Sequence, residues 1–275
     1  MTEFLDVDGG TLAYETTGTS GPLMVLVPGI GNSRDAYRFL APALAEAGYR
    51  VATVDLRGCG ESSATWPSYT RTDIAGDMIA VVKHLGGPAV IVGHSISGGA
   101  ATIAAATAPS LVTALVELAP FTRKVEFSLR DLRVARYRRA ALAMAGVALG
   151  SRRQWRRYLE IAMPEPRPAD WSASLDRIDA MLREPGRMKA LQKQLNSAAD
   201  AGAQLGNVRC PVLVVQGGLD PDWTSPVAEG EAIVSALPAG LGRLDVIPGA
   251  GHYPHVQCPA EVAAMILAFL ESVRA

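Results

Sequence analysis

The chain has 275 residues, of which 49% are hydrophobic, and its formal net charge at pH 7 is −1. This length is enough for one large core, or for one core that carries an inserted subdomain. The nearly balanced charge gives no overall field that would favour nucleic acid or an anionic membrane surface as a partner. We therefore expect no nucleic-acid partner.

Cysteine usage and the N-terminus restrict the compartment and the cofactors. Cys59, Cys210 and Cys258 form an odd and dispersed set, which is more typical of reduced thiols in a cytoplasmic protein than of a disulfide framework. No group of cysteines and histidines has metal-ligand spacing, so we expect no metal and no cofactor. The N-terminus is neither basic nor followed by a long apolar run, which predicts no signal peptide and no membrane insertion.

Strands and helices alternate in the first 120 residues. Gly9-Gly10 predicts the turn of an N-terminal β-hairpin. Apolar, often β-branched runs predict buried strands, and stretches with helical spacing predict the helices between them. The predicted strands are 23–27, 51–54, 90–92 and 111–118. The predicted helices are 34–47, a helix that is capped by Thr72 or Asp73 and runs to Leu85, and 98–108. This alternation is typical of a parallel sheet covered by helices on both faces.

The alternation stops after residue 120. From 121 to 206 we find no convincing strand, and helical stretches punctuated by prolines predict a helical insertion. Its predicted helices are 129–149, 152–161, 175–182 and 188–203. The alternation then returns with strands at 211–217 and 244–247 and helices at 226–237 and 261–273. Residues 1–120 and 207–275 are therefore predicted to form the core domain.

A candidate nucleophile lies between the 90–92 strand and the helix that follows it. Gly93-His94-Ser95-Ile96-Ser97 resembles the G-x-S-x-G nucleophile elbow, with Ser97 in place of the last glycine. An elbow holds its serine in a strained backbone conformation, with the hydroxyl at the carboxyl edge of the sheet. The pattern predicts Ser95 as a nucleophile. An ordinary Gly-rich strand–helix turn is the alternative, and the rest of the chain disfavours it.

A serine hydroxyl needs a base within hydrogen-bonding reach, and the base needs an orienting partner. His252 follows the last predicted strand in a loop of small residues and is the predicted base, whereas His255 is interpreted as a residue of the pocket rim. Asp220 follows the preceding strand and is the predicted acid, with Asp222 as the alternative. The chain order Ser95, Asp220, His252 is the order that the elbow motif predicts.

Backbone N–H groups are needed to stabilise the oxyanion that forms when a carbonyl is attacked. Ile96, directly after the nucleophile, is one predicted donor. Ile30, in the Gly-rich loop after the 23–27 strand, is the other, although that loop could be a plain strand–helix connection. The side chain of His94 should point away from the Ser95 hydroxyl.

Together these features resemble the α/β-hydrolase superfamily over nearly the whole chain. The resemblance rests on the Pro28-Gly29-Ile30-Gly31 turn, the Asp55-Leu56-Arg57-Gly58-Cys59-Gly60-Glu61-Ser62 loop, the elbow, Asp220, His252 and the helical insertion. It implies an α/β-hydrolase fold, with a mostly parallel eight-stranded sheet flanked by helices and a helical cap. Two residues depart from the family pattern: Pro28 replaces the usual histidine, which removes a side-chain anchor and a backbone donor, and Ser97 replaces a glycine.

The predicted function is a serine hydrolase that cleaves a carboxylic ester or thioester of a small-molecule acyl substrate through an acyl-enzyme. The same triad would serve an acyltransferase or a carbon–carbon bond hydrolase, and a non-catalytic ligand-binding homologue is a third alternative. A nucleophilic aspartate is disfavoured because the elbow holds a serine. The candidate pocket residues are Ile30, Phe121, Trp155, Met163, Trp171 and Tyr253. Aromatic and methionine residues in a cap more often belong to its core than contact the substrate.

The first half of the predicted cap has an uneven charge. Eleven basic residues, which we call the basic stripe, face only Glu126 and Asp131 within residues 123–157. The stripe consists of Arg123, Lys124, Arg130, Arg133, Arg136, Arg138, Arg139, Arg152, Arg153, Arg156 and Arg157. It is interpreted as a solvated helix face, or as a surface that attracts an anionic substrate group or an acidic carrier protein. The sequence is compatible with a monomer or with a homodimer.

Overall fold

The computed structural model describes residues 1–124, 128–197 and 201–273. Its eight strands form one sheet in the order β1-β2-β4-β3-β5-β6-β7-β8. They are β1 (Glu3–Val7), β2 (Gly10–Thr17), β3 (Leu23–Val27), β4 (Arg50–Val54), β5 (Ala89–His94), β6 (Val112–Leu118), β7 (Val212–Gly217) and β8 (Gly242–Ile247). β2 pairs antiparallel with β1 and β4, and all other pairs are parallel. The predicted eight-stranded, mostly parallel sheet is confirmed.

Helices cover both faces of the sheet. In chain order, the helices in the described ranges, including those of the insertion, are α1 (Leu40–Glu46), α2 (Arg71–His84), α3 (Ile96–Thr107), α4 (Ala135–Ala148), α5 (Arg152–Ala162), α6 (Trp171–Arg183), α7 (Arg187–Leu195), α8 (Pro226–Ala236), α9 (Pro254–Gln257) and α10 (Pro259–Ser272). No helix within the described ranges has both the length and the apolar character needed to cross a bilayer.

Strand β3 illustrates why the central strands are apolar throughout. Because successive side chains of a strand point to opposite faces, Leu23, Val25 and Val27 pack in one buried cluster with residues of α2 and α3. Met24 and Leu26 pack in the cluster on the other face, with residues of α1 and α10. A strand that is covered on both faces has no solvent side, so it needs no polar alternation.

Two predicted helix starts are wrong for local reasons. In the predicted 34–47 helix, a 3-10 turn spans Arg34–Tyr37 and α1 begins only at Leu40. The Arg34 backbone N–H donates to Asp55 Oδ1 at 2.6 Å and its guanidinium pairs with the other carboxylate oxygen, which ties this first turn to the loop after β4. The N-cap of α2 is Thr70, two or three residues before the predicted cap at Thr72 or Asp73, because Thr70 and Asp73 form a capping box.

Helices α4 to α7 form a helical insertion between β6 and β7. The predicted 129–149 helix begins at Ala135, after a 3-10 turn at Asp131–Arg133. The predicted 188–203 helix ends as α7 at Leu195, and its residues 198–200 lie outside the described ranges. A buried cluster joins the insertion to the core, since Trp155 and Leu159 pack there with Tyr253 and Val256. The division of the chain at residues 120 and 207 stays a prediction.

Candidate functional site

Ser95 lies in the sharp turn between β5 and α3, with φ 57° and ψ −121°. A positive φ is strained for a residue other than glycine. The turn is held because the Ser95 N–H donates to the Leu118 carbonyl at 3.0 Å and its carbonyl accepts from the Phe121 N–H at 2.9 Å. The approach is so close that a Cβ on Gly93 would lie 2.2 Å from the Ser97 carbonyl oxygen. This is the backbone geometry that the elbow pattern predicts.

The predicted base and acid are in contact. His252 Nδ1 lies 2.8 Å from Asp220 Oδ2, and both residues are buried. Asp222 Oδ2 lies 3.3 Å from the same ring nitrogen, and the Asp222 N–H donates to Asp220 Oδ1 at 2.9 Å. The His252 backbone N–H donates to the carbonyl of Ala162 at the end of α5, at 2.8 Å. The histidine therefore faces two carboxyl groups, and the cap holds its loop.

The two carboxyl groups control the pKa of His252. Burial lowers this pKa, but the charges of Asp220 and Asp222 and the hydrogen bond that His252 donates to Asp220 outweigh it and raise the pKa to about 9. Burial raises the pKa of Asp222 to about 6, against the opposing effect of His252. The Tyr158 hydroxyl on α5 donates to Asp222 Oδ2 at 2.5 Å and also favours the carboxylate.

A cavity of about 440 Å³ lies beside these groups and is lined by Ser95, His252, Ile96 and Ile30 among others. Of the other predicted pocket residues, Phe121, Trp155 and Tyr253 line this cavity. Met163 and Trp171 are not among the residues that line it. They line a separate cavity of about 70 Å³, and their role in the substrate pocket stays a prediction.

The interpretation of His255 as a residue of the pocket rim is wrong. Its ring is fully buried and packs on Tyr37 and His94, with ring centroids 5.0 and 4.6 Å apart. Burial lowers the pKa of His255 to about 3, so the ring is neutral and part of the core.

Several residues that line the cavity were missed at the sequence level. On α4 they are Tyr137, Ala140, Ala141 and Met144, whose i, i+3, i+4, i+7 spacing could have identified them as one helix face. Tyr158 is three residues from Trp155 and shares its face of α5. Arg71 and Gln194, from α2 and α7, carried no local signal because their approach depends on the tertiary fold.

The loop predicted to supply one oxyanion donor is attached to the elbow by hydrogen bonds. Ser97 Oγ donates to the Pro28 carbonyl at 2.6 Å, and the Gly29 N–H donates to His94 Nδ1 at 3.2 Å. His94 Nε2 lies 2.8 Å from the carbonyl oxygen of His252, to which it must donate. The His94 side chain is thus engaged by these backbone groups. Ile30 and Ile96 both line the cavity, as the oxyanion-hole prediction requires, and their role stays a prediction.

Within the described ranges, one group of histidine, cysteine and acidic side chains has metal-ligand spacing, and it consists of Asp220, Asp222 and His252. Two of them, Asp220 and His252, are the predicted acid and base, and Asp222 is the alternative acid. The absence of a metal stays a prediction.

The basic stripe is divided between ion pairs and solvent. Lys124 lines the cavity that contains Ser95. Arg152 and Arg156 pair with Asp179 and Asp176 of α6, while Arg138 and Arg139 are exposed on α4 and are not among the cavity residues. Of the two opposing acidic residues, Glu126 lies outside the described ranges.

Comparisons with known proteins show the family of the chain. The family model for the alpha/beta hydrolase family matches residues 24–265. BpoC of Mycobacterium tuberculosis is 30% identical over 282 residues, which cover 96% of this chain and 99% of BpoC. The 2-(acetamidomethylene)succinate hydrolase of Mesorhizobium japonicum is 28% identical over 282 residues, which cover 98% of this chain and 94% of that protein.

Among solved structures, an esterase from Exiguobacterium antarcticum matches with a TM-score of 0.81 at 19% identity, over 98% of this chain and 100% of that one. This likeness concerns the fold. It confirms that the eight-stranded sheet with its helical insertion is the predicted α/β-hydrolase fold.

Proposed function

Because the chain belongs to the alpha/beta hydrolase family, we propose that it is a serine hydrolase that cleaves a carboxylic ester or thioester through an acyl-enzyme. One observation carries the proposal. Ser95, strained at the elbow, lines the same cavity as His252, and the Nδ1 atom of that histidine lies 2.8 Å from Asp220 Oδ2.

In the proposed reaction, Ser95 Oγ attacks the acyl carbon while His252 Nε2 takes the hydroxyl proton. Asp220 holds the other ring nitrogen in its protonated form and stabilises the imidazolium that results. The backbone N–H groups of Ile30 and Ile96 bind the oxyanion. The leaving alcohol or thiol departs with the proton of His252. Water then attacks the acyl carbon with His252 again as the base, and Ser95 Oγ leaves with the proton from His252, which releases the carboxylic acid and restores the enzyme.

The cavity favours a substrate with an apolar acyl part. Ile30, Phe121 and Met144 are among its lining residues, and about 440 Å³ lies within the range of pockets that enclose drug-sized ligands. Lys124 and Tyr137 line both this cavity and an adjoining polar cleft of about 270 Å³. We assign the apolar cavity to the acyl group and the polar cleft to the leaving group.

A fluorophosphonate tests the nucleophile, since only an activated serine reacts readily with one. The wild-type protein should gain one adduct, mapped to Ser95, and Ser95→Ala should gain none while it keeps its melting temperature. Ser97, two residues away, is the internal control. An adduct on Ser97, or no adduct on folded protein, would overturn the proposal.

A substrate screen identifies the reaction. p-Nitrophenyl esters of graded chain length, matched thioesters and a carbon–carbon-cleavable diketone should be compared by kcat/KM. We expect the esters or thioesters to be preferred, with a rise to medium chain length as the apolar cavity fills. Preference for the diketone would indicate that the same triad catalyses carbon–carbon bond hydrolysis.

A further inference from the structure

The two residues that depart from the family pattern are in contact. Pro28 has no backbone N–H and no polar side chain, so the turn that contains it lacks the anchor that a histidine would give. Ser97, which stands where the pattern has glycine, donates its hydroxyl to the Pro28 carbonyl at 2.6 Å, and both residues are buried. One departure therefore offsets the other.

The same peptide group is also held from its other side. The carbonyl of Pro28 and the N–H of Gly29 belong to one planar peptide unit, and that N–H donates to His94 Nδ1 at 3.2 Å. The two residues that bind it, His94 and Ser97, flank Ser95 in the elbow. Contact is close here as well, because a Cβ on Gly29 would lie 2.9 Å from both His94 Nδ1 and Ser95 Cβ.

His94 has a defined protonation state. Burial lowers its pKa well below the usual range, with further lowering by His255 and His252, so the ring is neutral. Since Nδ1 accepts from Gly29, the single proton lies on Nε2, and it is donated to the His252 carbonyl at 2.8 Å. One ring thus connects the turn before Ile30 to the loop that carries the proposed base.

We propose that Ser97 and His94 are positioning residues that clamp the Pro28–Gly29 peptide, and so aim the next N–H, that of Ile30, at the oxyanion. The clamp rests on the proposed function, because it matters only if Ser95 attacks a carbonyl. Loss of the Ser97 hydroxyl frees one side of the peptide and leaves a buried carbonyl without that donor. The N–H of Ile30 is still present but is misdirected.

The test uses Ser97→Ala and Ser97→Gly, with Thr107→Ala as the matched control. Thr107 lies in the same helix α3, and its hydroxyl likewise donates to a backbone carbonyl, that of Ile103, at 2.7 Å. Removal of an oxyanion donor costs about 100- to 1,000-fold in kcat. Because misalignment is milder, we expect kcat to fall about 10- to 100-fold in both Ser97 variants, with KM within about twofold. Thr107→Ala should match the wild type.

A transition-state analogue separates alignment from a general loss of structure. The inhibition constant of a trifluoromethyl ketone that adds to Ser95 should rise by the same factor by which kcat/KM falls. The melting temperature of each variant is measured to show that it is folded. If Ser97→Ala does not fold, Ser97→Gly provides the test. Ser97→Gly also restores the family residue, so a steric account predicts higher activity where the clamp predicts lower.

The two proposals fail differently. Absence of a fluorophosphonate adduct on Ser95 in the wild type would overturn the proposed function, and the clamp with it. A labelled Ser95, together with wild-type kcat and unchanged ketone affinity in the folded Ser97 variants, would overturn the clamp alone.

Discussion

The second carboxyl group beside the proposed base has a measurable consequence for pH dependence. Asp222 Oδ2 lies 3.3 Å from His252 Nδ1, and its charge is one of the causes that raise the pKa of His252 to about 9. His252 accepts a proton only when it is neutral, so activity should rise with pH through that pKa. The ascending limb of kcat/KM should therefore lie on the alkaline side of a normal histidine. Asp222→Asn removes the charge and should shift this limb to lower pH.

The size of the shift follows from the distance. Two unit charges 3.3 Å apart interact by about 5 kcal/mol at an effective dielectric constant of about 20. That value is a ceiling, because the amide oxygen of the new asparagine keeps a partial negative charge and Asp220 is unchanged. An opposite charge at this range typically shifts a pKa by about 1–3 units. We expect a shift of about 1–2 units, equivalent to about 1.4–2.7 kcal/mol.

The assay is the pH profile of kcat/KM with a p-nitrophenyl ester, because kcat/KM reports the pKa values of the free enzyme. Asp176→Asn is the control. It also removes one negative charge, but Asp176 is exposed on α6 and pairs with Arg156. Its profile should coincide with that of the wild type. An ascending limb that stays in place in Asp222→Asn, or moves to higher pH, would refute the electrostatic account of His252.

Four further predictions concern the acid Asp220, Tyr158, the elbow glycine and the basic stripe. Asp220→Asn should lower kcat by about four orders of magnitude, by analogy with triads that lose the correct histidine tautomer. Asp222→Asn should lower kcat far less at the pH optimum of that variant, and the reverse order would make Asp222 the acid. Tyr158→Phe removes a donor to Asp222 and should raise the pKa of that carboxyl. The inflection that Asp222 causes in the pH profile of kcat/KM should therefore move to higher pH. Gly93→Ala should destabilise the fold, because the new Cβ would lie 2.2 Å from the Ser97 carbonyl oxygen. In Gly76→Ala, the new Cβ on α2 meets nothing within 4 Å, so the free energy of unfolding measured in urea should rise by about 0.5–1 kcal/mol. If the basic stripe attracts anionic substrates, the paired substitutions Arg138→Gln and Arg139→Gln should reduce a preference for an anionic over a neutral ester at low salt, and an equal salt response for both esters would leave the stripe a solvated surface.

The features predicted from sequence are those that short stretches of chain determine. The β-branched and apolar runs identify the buried strands. The small residues Gly93 and Ser97, two positions before and after Ser95, indicate a tight turn. Asp220 and His252 follow successive strands, so a parallel sheet brings them to one edge. Sequence order and chemistry together were enough to predict their contact.

The features that were missed depend on contacts between distant segments. Tyr158 meets Asp222 across 64 residues, and no local pattern indicates that a cap residue touches the acid loop. Ser97 could be recognised as a departure from a pattern, but its donation to Pro28, 69 residues earlier, could be found only in the folded chain.

Direct capture of the acyl-enzyme tests the central claim, which is that Ser95 is acylated during turnover. The wild-type protein should be quenched in acid while it turns over a slowly hydrolysed p-nitrophenyl ester, and its intact mass and peptides should then be measured. The account predicts a mass increase equal to the acyl group, located on the peptide that contains Ser95 and absent from Ser95→Ala. Turnover with no acylated protein, or an acyl group on a different residue, would contradict it.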